Sequence, residues 1–144
     1  MPHLKFERHV PYAPERMYQL VADLKSYPDF VPNCRRMEVR PGAQRNERLA
    51  RMTIGYGPFS DAYTSRVTLN ESERSITAKA LDGPFSHLDS TWRFDPEGQG
   101  TCISFEIDFR FSNPLIKAVA EPAFASKQDE IMDAFLAEAA RRYG

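Results

Sequence analysis

The sequence predicts an α+β fold in which about seven antiparallel strands form a curved sheet wrapped around a long C-terminal helix, with two short helices after the first strand. Three observations carry that expectation. Apolar and polar side chains alternate through most of Cys34 to Phe111, the period of a strand with one buried face. Proline and glycine clusters cut this region at intervals suited to strands. Helical spacing takes over only after Ser112-Asn113-Pro114. A chain of 144 residues buries roughly 70% of the surface its unfolded form exposes, enough for one substantial core, so residues 1–144 are expected to form one domain.

His3 to Val10 sets Leu4, Phe6, Arg8 and Val10 against His3, Lys5, Glu7 and His9, the pattern of a first strand. From Pro14 to Leu24, Met17, Leu20, Val21 and Leu24 recur at helical spacing. Pro14 falls near the first turn, where its missing N–H costs little, and Glu15 suits the positive helix end. Ser26 to Pro32, SYPDFVP, holds too much proline for more than one further turn and carries Tyr27, Phe30 and Val31, which suggests a lid or wedge. Turn signals at Pro41-Gly42, Gly57-Pro58, Asn70 to Ser75, Asp82-Gly83-Pro84 and Pro96 to Gly100 then divide Cys34 to Phe111 into six strands. The last is the clearest, with Thr101, Ile103, Phe105, Ile107, Phe109 and Phe111 on one face and Cys102, Ser104, Glu106, Asp108 and Arg110 on the other. Leu88, Ser90, Trp92 and Phe94 oppose His87, Asp89, Thr91 and Arg93; Tyr63, Ser65, Val67 and Leu69 oppose Ala62, Thr64, Arg66 and Thr68. Ser112-Asn113-Pro114 caps the final helix, whose apolar positions Val119, Phe124, Ile131, Phe135 and Leu136 continue toward Arg142 over roughly 40 Å. Pro122 removes the bond to the Ala118 carbonyl, so a kink or break is expected there.

Composition narrows the partners. Lys and Arg number 19 and Asp and Glu 20, a formal charge of −1, which lacks the cationic surplus of a nucleic-acid binder; no DNA partner is expected. Ten Phe, six Tyr and one Trp exceed what a core of this size requires and suggest an internal apolar cavity. Cys34 and Cys102 are far apart, without CxxC spacing or a nearby histidine cluster, so neither a metal site nor a redox motif is expected. MPHLKFERHV has no apolar h-region or amphipathic presequence, and no stretch approaches the roughly 20 apolar residues of a membrane span. The expected location is cytoplasmic, with any membrane contact peripheral.

A twisted sheet with one apolar face needs a cover, and only the C-terminal helix is long enough to supply it. A curved sheet around one helix packs well along the middle and loosely toward the ends. The room left between sheet, helix and SYPDFVP segment would be lined by Trp92, Phe105, Phe109, Tyr63, Ile131 and Phe135, with Tyr27, Phe30 and Val31 at the mouth. At these spacings apolar side chains form a core more often than a pocket.

Three stretches bear on that choice: VPYAPERMYQLVADLKSYPDFVPNC (Val10 to Cys34), LDGPFSHLDSTWRF (Leu81 to Phe94) and FRFSNPLIKAVAEPAF (Phe109 to Phe124), leading into DAF (Asp133 to Phe135). In order and spacing they resemble the coenzyme Q-binding family of START-like domains, helix-grip proteins grouped with polyketide cyclases and lipid-transfer domains. The resemblance covers nearly the whole chain. It implies a hydrophobic tunnel under the long helix holding ubiquinone or a similar isoprenoid lipid, without catalysis, in support of respiratory electron transport and with peripheral contact to the respiratory membrane. A second branch, ribosome-associated toxins that bind the large ribosomal subunit and block subunit joining, is similar in the same motifs. That branch tends to carry lysines after GPF, where this chain has Ser86-His87-Leu88-Asp89. RNA binding draws on several phosphate contacts from Lys or Arg, which a charge of −1 does not favour. The basic runs are Arg35-Arg36, Arg40 to Arg51 and Arg141-Arg142, and they suit anionic lipid headgroups equally.

A quinone ring only accepts hydrogen bonds. Arg66, His87, Tyr63 and Tyr56 are the donor candidates, and alternation turns Arg66 and His87 away from the apolar face, which leaves Tyr63 the better one. No catalytic residues are assigned: Glu106 and Asp108 share a polar strand face, His3, His9 and His87 are scattered, and no nucleophile stands beside a base. A cyclase-like enzyme acting on a bulky aromatic ligand is the third alternative, since superfamily cyclases use pocket Arg, Tyr or His residues.

Overall fold

A computed structural model describes residues 3–56 and 59–144. The chain runs β1 (His3–Val10), α1 (Pro14–Ala22), a short 3-10 turn (Leu24–Ser26), α2 (Tyr27–Phe30), β2 (Cys34–Pro41), β3 (Glu47–Tyr56), β4 (Phe59–Asn70), β5 (Ser75–Ala80), β6 (Phe85–Glu97), β7 (Gly100–Phe111) and α3 (Pro114–Tyr143). The seven strands form one antiparallel sheet in the order β1-β7-β6-β5-β4-β3-β2. Strands β2 to β7 are thus a meander, and β1 returns to pair with the last strand. The expected α+β class, strand number and helix placement are all observed; the Gly57-Pro58 turn lies outside the described residues.

Alternation sets which side of each strand is buried. In β7, Thr101, Ile103, Phe105, Ile107, Phe109 and Phe111 are buried, while Glu106 and Arg110 are exposed. Register is pinned where ladders slip, between Cys34 and Arg36 in β2 and between Phe85 and His87 in β6. Gly83, at φ +91°, lets the β5–β6 turn lie on β4, because a Cβ there would strike the Cβ of Tyr63 and come within 2.9 Å of the Ala62 carbonyl.

Helix α3 starts where Asn113 Oδ1 accepts the Leu115 N–H at 2.9 Å. It then runs unbroken for 30 residues through Pro122, so the break expected at Pro122 does not occur. Pro122 and Ala118 are both exposed, and the Ala118 carbonyl that loses its helical donor can turn to water instead. Beyond Pro122, Phe124, Gln128, Met132, Phe135, Glu138 and Ala139 are buried, recurring every three to four residues as one stripe against the sheet. Its far end is tied down by charge. Glu138 accepts from Arg141 Nε at 2.9 Å and Arg142 Nε at 2.8 Å, and Arg142 Nη1 also reaches Asp23 Oδ2 at 3.3 Å while its guanidinium lies 6.0 Å from the Phe30 ring centre. Arg141-Arg142, one of the three basic runs, is therefore paired with Glu138. Those charge-assisted bonds, from Arg141 first, hold the Glu138 carboxyl down at about 2.

Candidate functional site

Sheet and helix do not close on each other everywhere. Between the inner faces of β2 to β7, the α1–α2 segment and α3 lies a cavity of about 130 Å³ of space open to water-sized molecules. An engineered cavity of roughly 150 Å³ takes up benzene, so the space matches a single ring. It is smaller than the roughly 300–1,000 Å³ of most small-molecule sites. Met37, Met52, Val67, Ile76, Leu88 and Ile107 form much of the floor, and Phe124, Gln128, Ile131 and Phe135 of α3 form the roof.

Trp92, Phe105, Tyr63, Ile131 and Phe135 all line this cavity, and so do Tyr27 and Val31. Phe135 packs edge to face, 5.0 Å from Trp92 at 64° and 5.3 Å from Tyr27 at 82°, while Trp92 and Phe105 lie 4.5 Å apart in a tilted pair at 36°. Two of the expected residues stand outside the wall. Phe109 shares its strand face with Phe105 but is fully buried against Phe124, 4.7 Å away, in a packed group with Phe85 and Phe111 beyond the cavity. Phe30 is half-buried behind the wall, its ring 5.2 Å from Phe135. Periodicity gives a residue's face, not its distance along the strand from the gap.

Polar groups in the wall are few: Tyr27, Tyr63, Cys34, Ser65, Ser90 and Gln128. Tyr27 donates to the Val21 carbonyl at 2.5 Å, which anchors α2 to α1. Tyr63 has only the Met52 sulfur, 3.7 Å away. Burial pushes both phenols well above the ordinary tyrosine range and the Cys34 thiol up to about 11, so all three are neutral at neutral pH. Among the described residues no Arg, Lys, His, Asp or Glu lines the cavity. Arg66 is exposed on the outer face, and His87 points there too, 3.3 Å from Asp108. The side chain of Tyr56 lies outside the described part. No cluster of three His, Cys, Asp or Glu that could hold a metal occurs among the described residues, and no helix there is long and apolar enough to cross a membrane.

The family model for polyketide cyclases/dehydrases and lipid transport matches residues 10–136. The chain belongs to this family. Its relatives include proteins named as toxins and proteins named as coenzyme Q-binding. Ribosome association toxin RatA of Escherichia coli K12 is 36% identical over 99% of this chain and 90% of that protein. Coenzyme Q-binding protein COQ10 homolog B of Xenopus laevis, a mitochondrial protein, is 32% identical over 90% of this chain but only 54% of that protein. Among solved structures, an 18 kDa protein of Caulobacter crescentus is 29% identical with a TM-score of 0.79, covering 100% of this chain and 99% of that one. The ZhuI aromatase/cyclase of Streptomyces, 18% identical with a TM-score of 0.83 over 99% and 96% of the two chains, shares the fold. A START superfamily protein of Mycobacterium smegmatis does likewise, at a TM-score of 0.73, 19% identity and coverages of 96% and 93%. The curated relatives carry the names of binding or association proteins.

Sequence reasoning missed two features. Alternation sets Ser65 and Ser90 on the inner strand faces without marking them as polar contacts for a ligand, and Gln128 lies in a polar stretch, Ser126 to Glu130, that gives no sign of burial. The second is a charge pattern on the outer face of the sheet. Strand pairing aligns Arg40, Leu49, Arg66 and Lys79 in one row across β2 to β5, with Arg51 one pair further along β3. Arg40, Arg51, Arg66 and Lys79 are exposed, and none has an ion-pair partner among the described residues. Asp89, Glu106 and Asp108 sit on the β6–β7 half of the same face.

Proposed function

We propose that this single domain is a non-enzymatic binder of ubiquinone or a similar isoprenoid lipid, which it holds in the cavity and presents in support of respiratory electron transport. The carrying observation is a cavity walled by Trp92, Phe105, Phe135 and aliphatic side chains, without a charged group. Such a wall suits a ring with an apolar tail and offers no acid–base pair for turnover. A space of about 130 Å³ takes a ring, so the isoprenoid tail leaves past Tyr27 and Val31 into a peripheral contact with a membrane. The test is organic extraction and mass spectrometry of protein purified from a quinone-producing host, followed by titration with short-chain ubiquinone. Co-purified or titrated quinone at near-stoichiometric level is expected; no quinone in either experiment overturns the reading.

A second reading, association with the large ribosomal subunit, is favoured by the row of unpaired cations on β2 to β5, a local patch that the overall charge of −1 conceals. Its test is co-sedimentation with large ribosomal subunits at moderate salt. Reversal of Arg40, Arg66 and Lys79 to Glu abolishes pelleting if these side chains meet phosphates, and unchanged pelleting removes the face from consideration. A cyclase-like enzyme on an aromatic ligand predicts chemical change of the bound molecule, which the same mass spectra read.

A further inference from the structure

Polar atoms in this protein are paired wherever they are enclosed. No buried side-chain nitrogen or oxygen sealed from solvent lacks a partner among the described residues. Three groups in the cavity wall break the pattern because they face open space. Gln128 is 2% exposed on the roof, and its Nε2 donates to the Phe124 carbonyl at 3.0 Å. Only the amide nitrogen can make that bond, so the orientation of the carboxamide is fixed by chemistry: the oxygen is the free end. Oε1 has no partner among the described residues. On the floor, Ser65 of β4 and Ser90 of β6 lie on either side of β5, in register with Ala80 and Ala78, and neither hydroxyl is engaged. Small alanines between them leave the two hydroxyls uncovered.

A carbonyl oxygen held in an apolar wall is a cost unless something donates to it. Serine hydroxyls adapt to either role, but Gln128 Oε1 can only accept. A fully oxidised quinone brings two acceptors and no donor, and would face that oxygen across the cavity with nothing to give. A hydroquinone or other hydroxylated ring donates its O–H to Gln128, while its second oxygen, or the first one's lone pairs, accepts a hydrogen bond from Ser65 or Ser90. We infer that Gln128 is a specificity-determining residue that makes the cavity select ring ligands bearing a hydroxyl, and so the reduced form of a quinone over the oxidised form. This rests on the carrier reading only in taking the cavity as the ligand site.

Trp92 is the sole tryptophan of the chain and lies in the cavity wall, so its fluorescence reads occupancy directly. Two ligand pairs are titrated under argon: a short-chain ubiquinone against its borohydride-reduced quinol, and 1-naphthol against 1-methoxynaphthalene, which differ by the donor alone. One hydrogen bond in such a site is expected to give roughly a three- to tenfold preference for the hydroxylated member of each pair. Gln128→Met, close in length and flexible, brings the affinity ratio within each pair to about one; Gln128→Leu serves in its place if the melting curve shows the first variant unfolded. Equal binding of both members in the native protein overturns the inference, and with quinone still bound the carrier reading stands. A naphthol preference that Gln128→Met removes, with neither quinone form bound, keeps the inference and removes the quinone. Binding of no ligand of either pair overturns both.

Discussion

Phe135 is the joint between the cavity and the segment that closes it, and its truncation tests that arrangement quantitatively. The ring is 2% exposed and meets Tyr27, Phe30 and Trp92 at 5.3, 5.2 and 5.0 Å, each close to edge-on. Phe→Ala at a packed site costs about 3–5 kcal/mol. The new void merges with an existing cavity of about 130 Å³, so walls cannot collapse into it and the upper part of that range applies, about 4 kcal/mol. Against a total of roughly 5–15 kcal/mol this is a large share. At about 4 °C per kcal/mol for a domain of this size, the Tm falls by ~15 °C. Differential scanning calorimetry gives that number, and the Trp92 emission maximum moves to the red as water replaces the ring. A fall of under ~4 °C with unshifted emission would refute the packing described, because it would mean that Phe135 does not hold the α1–α2 segment against Trp92.

Pro122→Ala restores a donor to the exposed Ala118 carbonyl. The helix gains up to ~3 kcal/mol and the unfolded chain regains ~0.4–1 kcal/mol of freedom, so a net rise in Tm is expected, and a fall shows that the proline geometry is needed to seat α3. The Glu138 carboxyl, held at about 2 in the folded protein against an ordinary 4.5, is depressed. Its contribution is complete above pH 4.5 and drains away as pH falls through about 2. Native protein should therefore lose Tm more steeply than Glu138→Gln between pH 5 and 2, and parallel curves contradict the network. Gly83→Ala forces a Cβ onto Tyr63 at φ +91°, with an expected loss of at least ~1–2 kcal/mol; urea unfolding midpoints check it, and an unchanged midpoint means the turn does not press on β4.

Strands and their buried faces were legible because a period of two is a property of the chain itself. Trp92, Phe105, Tyr63 and Phe135 could be assigned to one interior before any contact was known. Phe109 could not be separated from Phe105, since the two share a face and differ only in which end of the sheet each meets under α3. Of the kink or break expected at Pro122 the break is absent, because Ala118 is exposed and its carbonyl can turn to solvent. Gln128 reads as a helix-surface residue until the roof is built over the cavity. The outer cations are spread over forty positions of sequence and become one row only through strand register, which the overall charge averages away. Glu138 likewise looks like one more solvated acid until Arg141 and Arg142 are seen folding back on it.

The sheet's closing pair has a consequence for how the molecule is made. Val10 joins Thr101 and His3 joins Asp108, so β1 leaves the ribosome about a hundred residues before its partner β7, and α3 follows later still. Until β7 and α3 have been synthesised, the inner face of the meander has no roof and β1 has no neighbour. Such long-range closure is slow and leaves apolar surface open meanwhile. A lipid present during that interval meets a trough rather than a sealed chamber, so loading during synthesis and loading of the finished protein are different events with different rates.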